Sequence, residues 1–393
     1  MALWSPINIG DCRLKHRVVL APLTRNRGTK SQLHTRTWVP NDLMLQYYCE
    51  RATEGGLLIS EATPVSVRAS ASPGVPGTFT EESQIGWKRI VSAVHDKGGV
   101  FFCQLWHQGR QTHSSLTGQI PESCSAVPID GDFSRSDTGP IPYEIPLAMT
   151  RNDIQATQQD FTNAALNARN IGFDGIEIHG GNGYLLDQFH QSNINQRTDD
   201  YGGSIEKRCE LTLELTRKLC VAIGSKRVAV RLSPFGLFNQ SYGEKRIEQW
   251  TYMCLQLAEL DLAYVHLVEP RFDELRTSEE KLAFLGNADT SSEISLAPFR
   301  RALGKTVVIA AGGFGPNNCE QGIQSGAHDL VAFGRYFVSN PDLVERLREH
   351  QPLYRWVRSR FYGPFEDNEV GYTVHRDRNL ASAMDQLKAQ LAD

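Results

Sequence analysis

Three side chains that can donate a hydrogen bond or a proton follow a single apolar run. His179, Asn182 and Tyr184 lie within six residues of one another in the segment Gly175-Ile-Glu-Ile-His-Gly-Gly-Asn-Gly-Tyr-Leu-Leu-Asp-Gln-Phe189. An imidazole and an amide can hold a carbonyl oxygen while it gathers negative charge, and a phenol can protonate a nearby carbon. This grouping favours reduction of an activated alkene. Taken alone, it is equally compatible with polar loop residues after a buried strand, with Tyr184 as a core aromatic.

The elements that would position these residues recur along the chain as short apolar runs bounded by turn residues. Their near-continuous hydrophobicity indicates strands that are buried on both faces of a parallel sheet. Helical periodicity occupies most of the intervals, most clearly at 80–97, 150–171, 204–223, 247–260 and 341–349. Eight strand-then-helix units predict an α/β protein with a single (β/α)8 TIM barrel. The predicted strands are 18–23, 57–63, 100–106, 175–179, 227–232, 263–268, 307–311 and 330–333.

Three further segments complete the predicted architecture. Residues 7–12 and 13–17 predict a β-hairpin across the barrel floor. The long connections 108–150 and 270–306 follow the third and sixth strands, at the face where barrel active sites are built, so we expect them to wall or cover a pocket. No linker is evident. Residues 1–393 are therefore predicted to form one domain, with about 363–393 as a C-terminal extension packed on the barrel.

The composition predicts a soluble globular protein that acts on small molecules. A net charge of −4 supplies no field for nucleic acid or anionic membranes. The N-terminus lacks a secretory pattern, and no run of about 18 apolar residues follows, so we expect a cytoplasmic protein without membrane contact, as a monomer or homodimer. The eight cysteines are never closer than eleven residues, which predicts reduced structural thiols and no metal site.

Polar residues and glycines follow other predicted strands. Barrels commonly bind phosphate after strands seven and eight, through backbone N–H groups and a helix N-terminus, and Gly312, Gly313, Gly334 and Arg335 stand there. A buried arginine at 231 requires an electron-rich partner, such as the pyrimidine edge of a flavin. The amide of Gln104 suits the flavin N3–H and C2 carbonyl, and Thr24 suits O4. Each residue could instead be a satisfied polar group or a tight turn.

Together these residues resemble the old yellow enzyme family of FMN-dependent NADPH:alkene oxidoreductases, the ene-reductases. The resemblance extends from Leu3 to about Tyr362. Its most specific segments are Ala21-Pro-Leu-Thr-Arg-Asn-Arg27, Gln104-Leu-Trp-His-Gln-Gly-Arg110, His179-Gly-Gly-Asn-Gly-Tyr-Leu-Leu-Asp-Gln-Phe189, Gln196-Arg-Thr-Asp-Asp-Tyr-Gly-Gly-Ser-Ile-Glu-Lys-Arg208, His266-Leu-Val-Glu-Pro270 and Gly334-Arg335.

The resemblance implies a non-covalently bound FMN at the barrel mouth, with NADPH favoured over NADH as reductant. It assigns the flavin ring, its polar edges and its phosphate to residues on several strand ends. Pro22 and Leu23 would back the ring, Thr24 and Gln104 would bind its polar edges, Ala62 would lie near the pyrimidine, Arg231 would face N1 and O2, and Gly312, Gly313, Gly334 and Arg335 would bind phosphate.

The resemblance also implies a reaction in which one pocket serves nicotinamide and substrate in turn. His179 and Asn182 would hold the carbonyl oxygen of an α,β-unsaturated substrate while hydride from FMN N5 adds to the β-carbon, and Tyr184 would protonate the α-carbon. The substrate pocket would be lined by Trp106, Phe238, Phe361 and Tyr362.

Four departures and three alternatives accompany this interpretation. Lys207 replaces an asparagine of the family pattern, Gly313 replaces a larger polar residue of some relatives, 69–77 has no aromatic to overhang the site, and 272–298 matches weakly. One alternative keeps the fold but makes the protein a flavin-dependent isomerase or dehydrogenase of a specialised pathway. The others are a flavin-free aldolase or lyase and a non-catalytic flavin-binding or scaffold protein.

Overall fold

The computed structural model of this protein describes residues 2–70, 72–133, 139–273, 276–288 and 294–375. Eight parallel strands form a closed barrel, in which each strand pairs with the next along the chain and the last pairs with the first. This closure confirms the predicted (β/α)8 fold. The strands are β1 (Val18–Leu20), β2 (Leu57–Ile59), β3 (Val100–Trp106), β4 (Gly175–His179), β5 (Val228–Leu232), β6 (Tyr264–Val268), β7 (Val308–Ala311) and β8 (Leu330–Phe333).

Helices follow the barrel strands, and three of them begin one residue later than the sequence pattern indicated. Thr80, Thr150 and Ser204 are N-caps whose side-chain oxygens accept a backbone N–H three residues ahead. The helices are α1 (Asp42–Arg51), α2 (Glu81–His95), α3 (Ser114–Thr117), α4 (Arg151–Ile171), α5 (Leu185–His190), α6 (Ile205–Ile223), α7 (Arg246–Ala258), α8 (Ser278–Ala288), α9 (Ala297–Leu303), α10 (Gln321–Gln324), α11 (Arg335–Ser339) and α12 (Leu343–Arg348).

The first two barrel strands are shorter than predicted. Strand β1 ends at Leu20, shortly before Pro22, which has no N–H to donate to a ladder. Strand β2 ends at Ile59 because the chain turns: the hydroxyls of Ser60 and Thr63 both donate to the carbonyl of Glu61. The pair Thr63–Pro64 then joins β3 separately. Both chain segments leave the barrel early and so supply residues to its mouth.

The predicted hairpin is present with a different turn. Ile7–Ile9 pairs antiparallel with Cys12–Leu14. Gly10, with φ of 50°, and Asp11 lie between the two strands, so Cys12 belongs to the second strand. Ile9 and Leu14 are fully buried in one apolar cluster with β-strand residues such as Phe102. The hairpin therefore closes the floor of the barrel.

Both long connections carry small elements of their own. The connection after β3 contains α3 and two short strand pairs, Glu122–Ser123 with Leu147–Ala148 and Asp132–Phe133 with Ile141–Pro142. The connection after β6 contains α8. Residues 134–138, 274–275 and 289–293 of these loops lie outside the described residues. Among the residues described, no helix combines the length and the apolar composition needed to cross a bilayer.

Three buried arginines bind the chain that follows the barrel. Arg25 donates to the carbonyls of Phe361 at 2.9 Å and Gly371 at 2.8 Å, and Arg27 donates to Asn368 at 2.9 Å. Arg51 donates to the carbonyl of Tyr372 at 3.3 Å. The phenol ring of Tyr372 stacks on that of Tyr47, with centroids 4.2 Å apart. Residues 363–375 of the predicted extension thus pack on the barrel, while 376–393 lie outside the described residues.

Glu61 is a buried carboxyl group beside this arginine cluster, and it gives the protein a pH-dependent stability. Burial raises the pKa of Glu61 from 4.5 to about 7, although Arg25 and Arg27 oppose the shift. A raised pKa stabilises the folded protein below pH 4.5, and that contribution disappears as the pH rises through 7. We expect Glu61→Gln to remove about 3 kcal/mol of the stability change between pH 4.5 and 8. Urea unfolding of wild type and variant at both pH values measures the two free energies of unfolding. An equal change in stability between the two pH values for both proteins would contradict the prediction.

Candidate active site

A cavity of about 630 Å³ opens at the carboxyl ends of the barrel strands. It brings together every site residue that the sequence predicted, although those residues come from seven strand ends and the C-terminal segment. Their individual roles stay predictions. The residues are Pro22, Leu23, Thr24, Ala62, Gln104, Trp106, His179, Asn182, Tyr184, Arg231, Phe238, Gly312, Gly313, Gly334, Arg335, Phe361 and Tyr362.

His179 is the last residue of β4 and lies beside Arg231 on β5 in the strand register. Burial, reinforced by the charge of Arg231, lowers the pKa of His179 well below its ordinary value of 6.5, so the imidazole is neutral. The backbone N–H of Gly181 donates to Nδ1 at 3.4 Å. That contact leaves the proton on Nε2. His179 is therefore a neutral hydrogen-bond donor at the cavity.

Asn182 is held through its backbone, which leaves its side chain at the cavity. Its N–H donates to the hydroxyl of Ser233 at 2.6 Å, and its carbonyl accepts from the side-chain amide of Asn239 at 3.0 Å. Its φ of 56° lies in the left-handed region, which asparagine tolerates better than most residues. A Cβ on the preceding Gly181 would lie 2.7 Å from the Ser233 hydroxyl, so glycine is required there. The loop after β5 thus fixes this turn.

Tyr184 stands at the start of α5 with its ring half-buried. The ring makes two edge contacts, with centroids 5.0 Å from Trp106 and 4.9 Å from His179. Edge-to-face packing is the favoured arrangement of aromatic pairs. Gly183 donates its N–H to the carboxylate of Asp187 at 2.7 Å, which ties the turn to α5. The phenol is therefore fixed in contact with the imidazole that the sequence grouped with it.

A buried chain of polar groups crosses the barrel beneath the cavity. The amide nitrogen of Gln104 on β3 donates to Glu177 on β4 at 2.7 Å, and His266 on β6 donates to the other carboxylate oxygen through Nδ1 at 2.9 Å. All three residues are at most 1% exposed. No described residue donates to Oε1 of Gln104, so its carbonyl is left as an acceptor for a ligand N–H. Sequence reasoning missed Glu177 and His266.

The loop after β7 is shaped for close approach of a ligand to the backbone. Gly312 and Gly313 have φ values of 116° and 68°. A Cβ on Gly312 would lie 2.6 Å from Phe272. Asn318, which the sequence did not single out, braces the turn by donating to the carbonyl of Gly313 at 3.0 Å. This cradle has the small residues that a phosphate site needs.

Arg335 begins α11 directly after Gly334 on the other side of this cradle. Its guanidinium donates to the carbonyl of Asp273 at 3.2 Å and lies over the rings of Phe272, at 4.9 Å, and Trp356, at 5.6 Å. Helix α11 has only five residues, so the arginine charge outweighs any contribution of its N-terminus. Phe272 and Trp356 were missed because only the fold brings their loops to this place.

Aromatic side chains from two loops line the outer part of the cavity. Phe361 is 8% exposed and Tyr362 is 50% exposed, with ring centroids 6.3 Å apart. Phe238 precedes Asn239, the residue that braces Asn182. The segment 69–77 supplies Val75, which packs against Trp106 and Ala62. The outer pocket is therefore an apolar space bounded by the polar groups at the strand ends.

The donor set fits the flavin that the resemblance implies. Gln104 has an unused acceptor, Arg231 is 8% exposed at the cavity, and the Gly312–Gly313 turn would be filled by any Cβ. No group of three or more histidine, cysteine or acidic side chains suited to a metal ion occurs in the described part of the chain. All eight cysteines are free thiols.

Comparison with known proteins gives a consistent set of relatives. The sequence model of the NADH:flavin oxidoreductase / NADH oxidase family matches residues 2–354. The chain is 45% identical to the flavin oxidoreductase hxnT of Emericella nidulans, covering 94% of this chain and 96% of that one. It is 40% identical to 12-oxophytodienoate reductase 7 of Oryza sativa subsp. japonica, over 94% and 93%. The structure of the old yellow enzyme homologue from Zymomonas mobilis superposes with a TM-score of 0.85 at 33% identity, covering 95% of this chain and 99% of that one.

Proposed function

Because this chain belongs to the NADH:flavin oxidoreductase / NADH oxidase family, and so to the old yellow enzymes, we propose that it reduces the C=C bond of α,β-unsaturated carbonyl compounds. The observation that carries the proposal is the contact between the rings of Tyr184 and His179, whose centroids are 4.9 Å apart at the mouth of the barrel. An oxyanion donor and a proton donor that touch one another suit attack at the β-carbon of an enone, followed by protonation at the α-carbon.

The chain's own residues do two kinds of work in this reaction. His179, neutral and with its proton on Nε2, and Asn182 donate hydrogen bonds to the substrate carbonyl oxygen, where negative charge accumulates. Tyr184 then gives its phenolic proton to the α-carbon. FMN bound at the barrel mouth would supply the hydride chemistry, and the nicotinamide coenzyme would use the same pocket in turn with the substrate. Trp106, Phe238, Phe361 and Tyr362 exclude water around the substrate.

The flavin would be held by residues from most of the strand ends. Pro22 and Leu23 would back the ring, with Ala62 near the pyrimidine. The polar edges would bind Thr24, Gln104 and Arg231, and the phosphate would bind Gly312, Gly313, Gly334 and Arg335. The acceptor left on Gln104 and the glycine cradle support this placement.

The experiment that tests the proposed function measures flavin reduction by NADPH and flavin reoxidation by an alkene separately. Under anaerobic conditions, NADPH is expected to bleach the visible absorbance band of the bound flavin. A simple enone is expected to restore the band, with one saturated product formed per NADPH consumed. An isomerase would form product without consuming NADPH. A colourless preparation, or a reduced flavin that no enone in a panel reoxidises, would contradict the proposal.

Glu177 is expected to control flavin affinity through Gln104. In Glu177→Gln the new amide can accept from only one of Gln104 and His266, and the carboxylate charge that strengthens both hydrogen bonds is lost. A lost charge-assisted hydrogen bond costs about 1.5–3 kcal/mol, so the FMN Kd should rise roughly 10-fold or more. Quenching of FMN fluorescence on binding to apoprotein measures this. Glu210→Gln on the outer helix α6 is the control, and equal affinities in the two variants would refute the role.

Several finer properties complete the proposal. We propose NADPH in preference to NADH, a cytoplasmic location, a monomer or homodimer, and one domain spanning 1–393 with its C-terminal extension. The resemblance supports the first of these. The binding of Arg25, Arg27 and Arg51 to carbonyls of residues 360–372 supports a single folding unit.

A further inference from the structure

A second cavity, of about 520 Å³, adjoins the first on the side of the Gly312–Gly313 turn. The two cavities share Phe272, Gly313, Arg335 and Arg358, so the second continues the first beyond the proposed flavin phosphate. Arginines dominate its wall, since Arg271 and Arg276 line it as well. A ligand that leaves the main cavity on this side would enter an arginine-lined space.

The acidic groups near this cavity are largely engaged by the fold. Asp273 is the single carboxylate among the described residues that line it; it accepts the backbone N–H of Arg276 at 2.9 Å and lies 3.9 Å from the buried amine of Lys281. Glu280 caps α8 by accepting from Thr277. Burial raises the pKa of Glu269, although the charge of Arg271 opposes the shift. The raised pKa makes the Glu269 carboxyl less readily ionised. Positive charge therefore remains in excess among the described residues of the wall.

Two of the lining arginines have guanidinium groups that form no ion pair with a described residue. Arg271 donates from Nε to the carbonyl of Gly312 at 3.1 Å, while its Nη2 is buried and has no described hydrogen-bond partner. Arg276 is half-buried, with its guanidinium 5.7 Å from the ring of Phe284. A buried cationic N–H without an acceptor costs free energy that an anionic ligand would recover. Both side chains thus favour a bound anion.

The chemistry of the proposed reaction identifies two sources of such an anion. One is the FMN phosphate, for which the glycine cradle and Arg335 already provide. The other is the nicotinamide coenzyme, whose ring must reach the main cavity while the rest of the molecule leads outward. NADPH differs from NADH by one phosphate on the adenosine ribose. We propose that the second cavity binds this 2′-phosphate through Arg271 and Arg276 and so selects NADPH over NADH.

This inference rests on the proposed function, but its test needs no alkene. The rate of anaerobic flavin bleaching is measured against coenzyme concentration for wild type, Arg271→Gln and Arg276→Gln. Each variant is expected to raise the NADPH concentration at half-maximal rate by roughly 10-fold or more, with the NADH value and both maximal rates unchanged. Arg217→Gln, on the exposed side of α6, is the matched control.

The outcomes distinguish binding of the NADPH 2′-phosphate from binding of the FMN phosphate. Equal losses with NADPH and NADH, or no loss, would overturn the proposal. A rise in FMN Kd without a change in coenzyme preference would assign both arginines to the flavin phosphate instead and would equally overturn it. If bleaching follows the expected pattern while no enone is reduced, the coenzyme site stands and the proposed alkene substrate falls.

A measurement on the wild-type protein tests the same proposal without variants, and so does not depend on whether the variants fold. Adenosine 2′,5′-bisphosphate is expected to compete with NADPH for flavin reduction at a concentration at least tenfold lower than adenosine 5′-monophosphate, because only the former carries the 2′-phosphate. Added salt should weaken this competition, since it screens exposed charges. Equal inhibition by the two nucleotides would refute a 2′-phosphate site.

Discussion

Tyr184→Phe is expected to slow alkene reduction by about 10²–10⁴-fold while leaving flavin reduction by NADPH unchanged. The substitution removes only the phenolic oxygen, so the edge contacts of the ring with Trp106 and His179 persist. Proton transfer to carbon belongs to the alkene half-reaction alone, and the loss should be confined to it. Stopped-flow absorbance of the flavin, monitored separately during reduction by NADPH and reoxidation by an enone, measures both rates.

The matched control for this prediction is Tyr252→Phe, which removes a phenolic oxygen on α7 outside the cavity. It should leave both half-reactions at the wild-type rate. If enones reoxidise the flavin of Tyr184→Phe at the wild-type rate, another group protonates the α-carbon. Equal slowing of both half-reactions would indicate a deformed pocket rather than a lost proton.

Asn182→Gly should reduce the rate of enone reduction by about 10²–10³-fold, the usual cost of losing one oxyanion donor. Glycine is the suitable replacement because residue 182 has a φ of 56°, where alanine would add backbone strain to the loss of the amide. The carbonyl oxygen becomes strongly negative only in the transition state of hydride addition. The maximal rate of flavin reoxidation by the enone should therefore fall. For flavin reduction by NADPH, the main change should be in the NADPH concentration that gives the half-maximal rate.

His350→Gly provides the corresponding control, since His350 is exposed and also has a left-handed φ, of 55°. It isolates the effect of a flexible glycine from that of a lost donor. An Asn182→Gly enzyme with the wild-type reoxidation rate would refute the oxyanion role. A His179→Ala variant should produce a loss of similar size through the other donor.

The barrel and its mouth were predictable because both depend on local pattern and topology. Eight apolar runs define the strands, and parallel strands must present their carboxyl ends at one face. Residues as distant as Thr24 and Arg335 therefore converge once the strand order is known. The glycines of the loop after β7, which we propose binds phosphate, were recognisable because close approach of a ligand requires them.

Helix α1 was not predicted, for a physical reason. Its buried residues include Tyr47, Tyr48 and Arg51, so its inner face meets a polar and aromatic cluster rather than an aliphatic core. A search for apolar periodicity finds little there. Glu177 and His266 were missed for a related reason: they are buried charged or polar side chains inside strands, and only their mutual hydrogen bond explains them.

The binding of Tyr372 to Arg51 spans 321 residues and sets an order of events during synthesis. The ribosome makes Arg25, Arg27 and Arg51 early, while the carbonyls that receive their hydrogen bonds emerge only after all eight barrel strands. Until then these guanidinium groups must stay hydrated, because burying them without acceptors is costly. The nascent barrel therefore cannot seal this side before the last segment arrives. Phe361 and Tyr362 belong to that segment, so a functional pocket forms only after the segment has been synthesised.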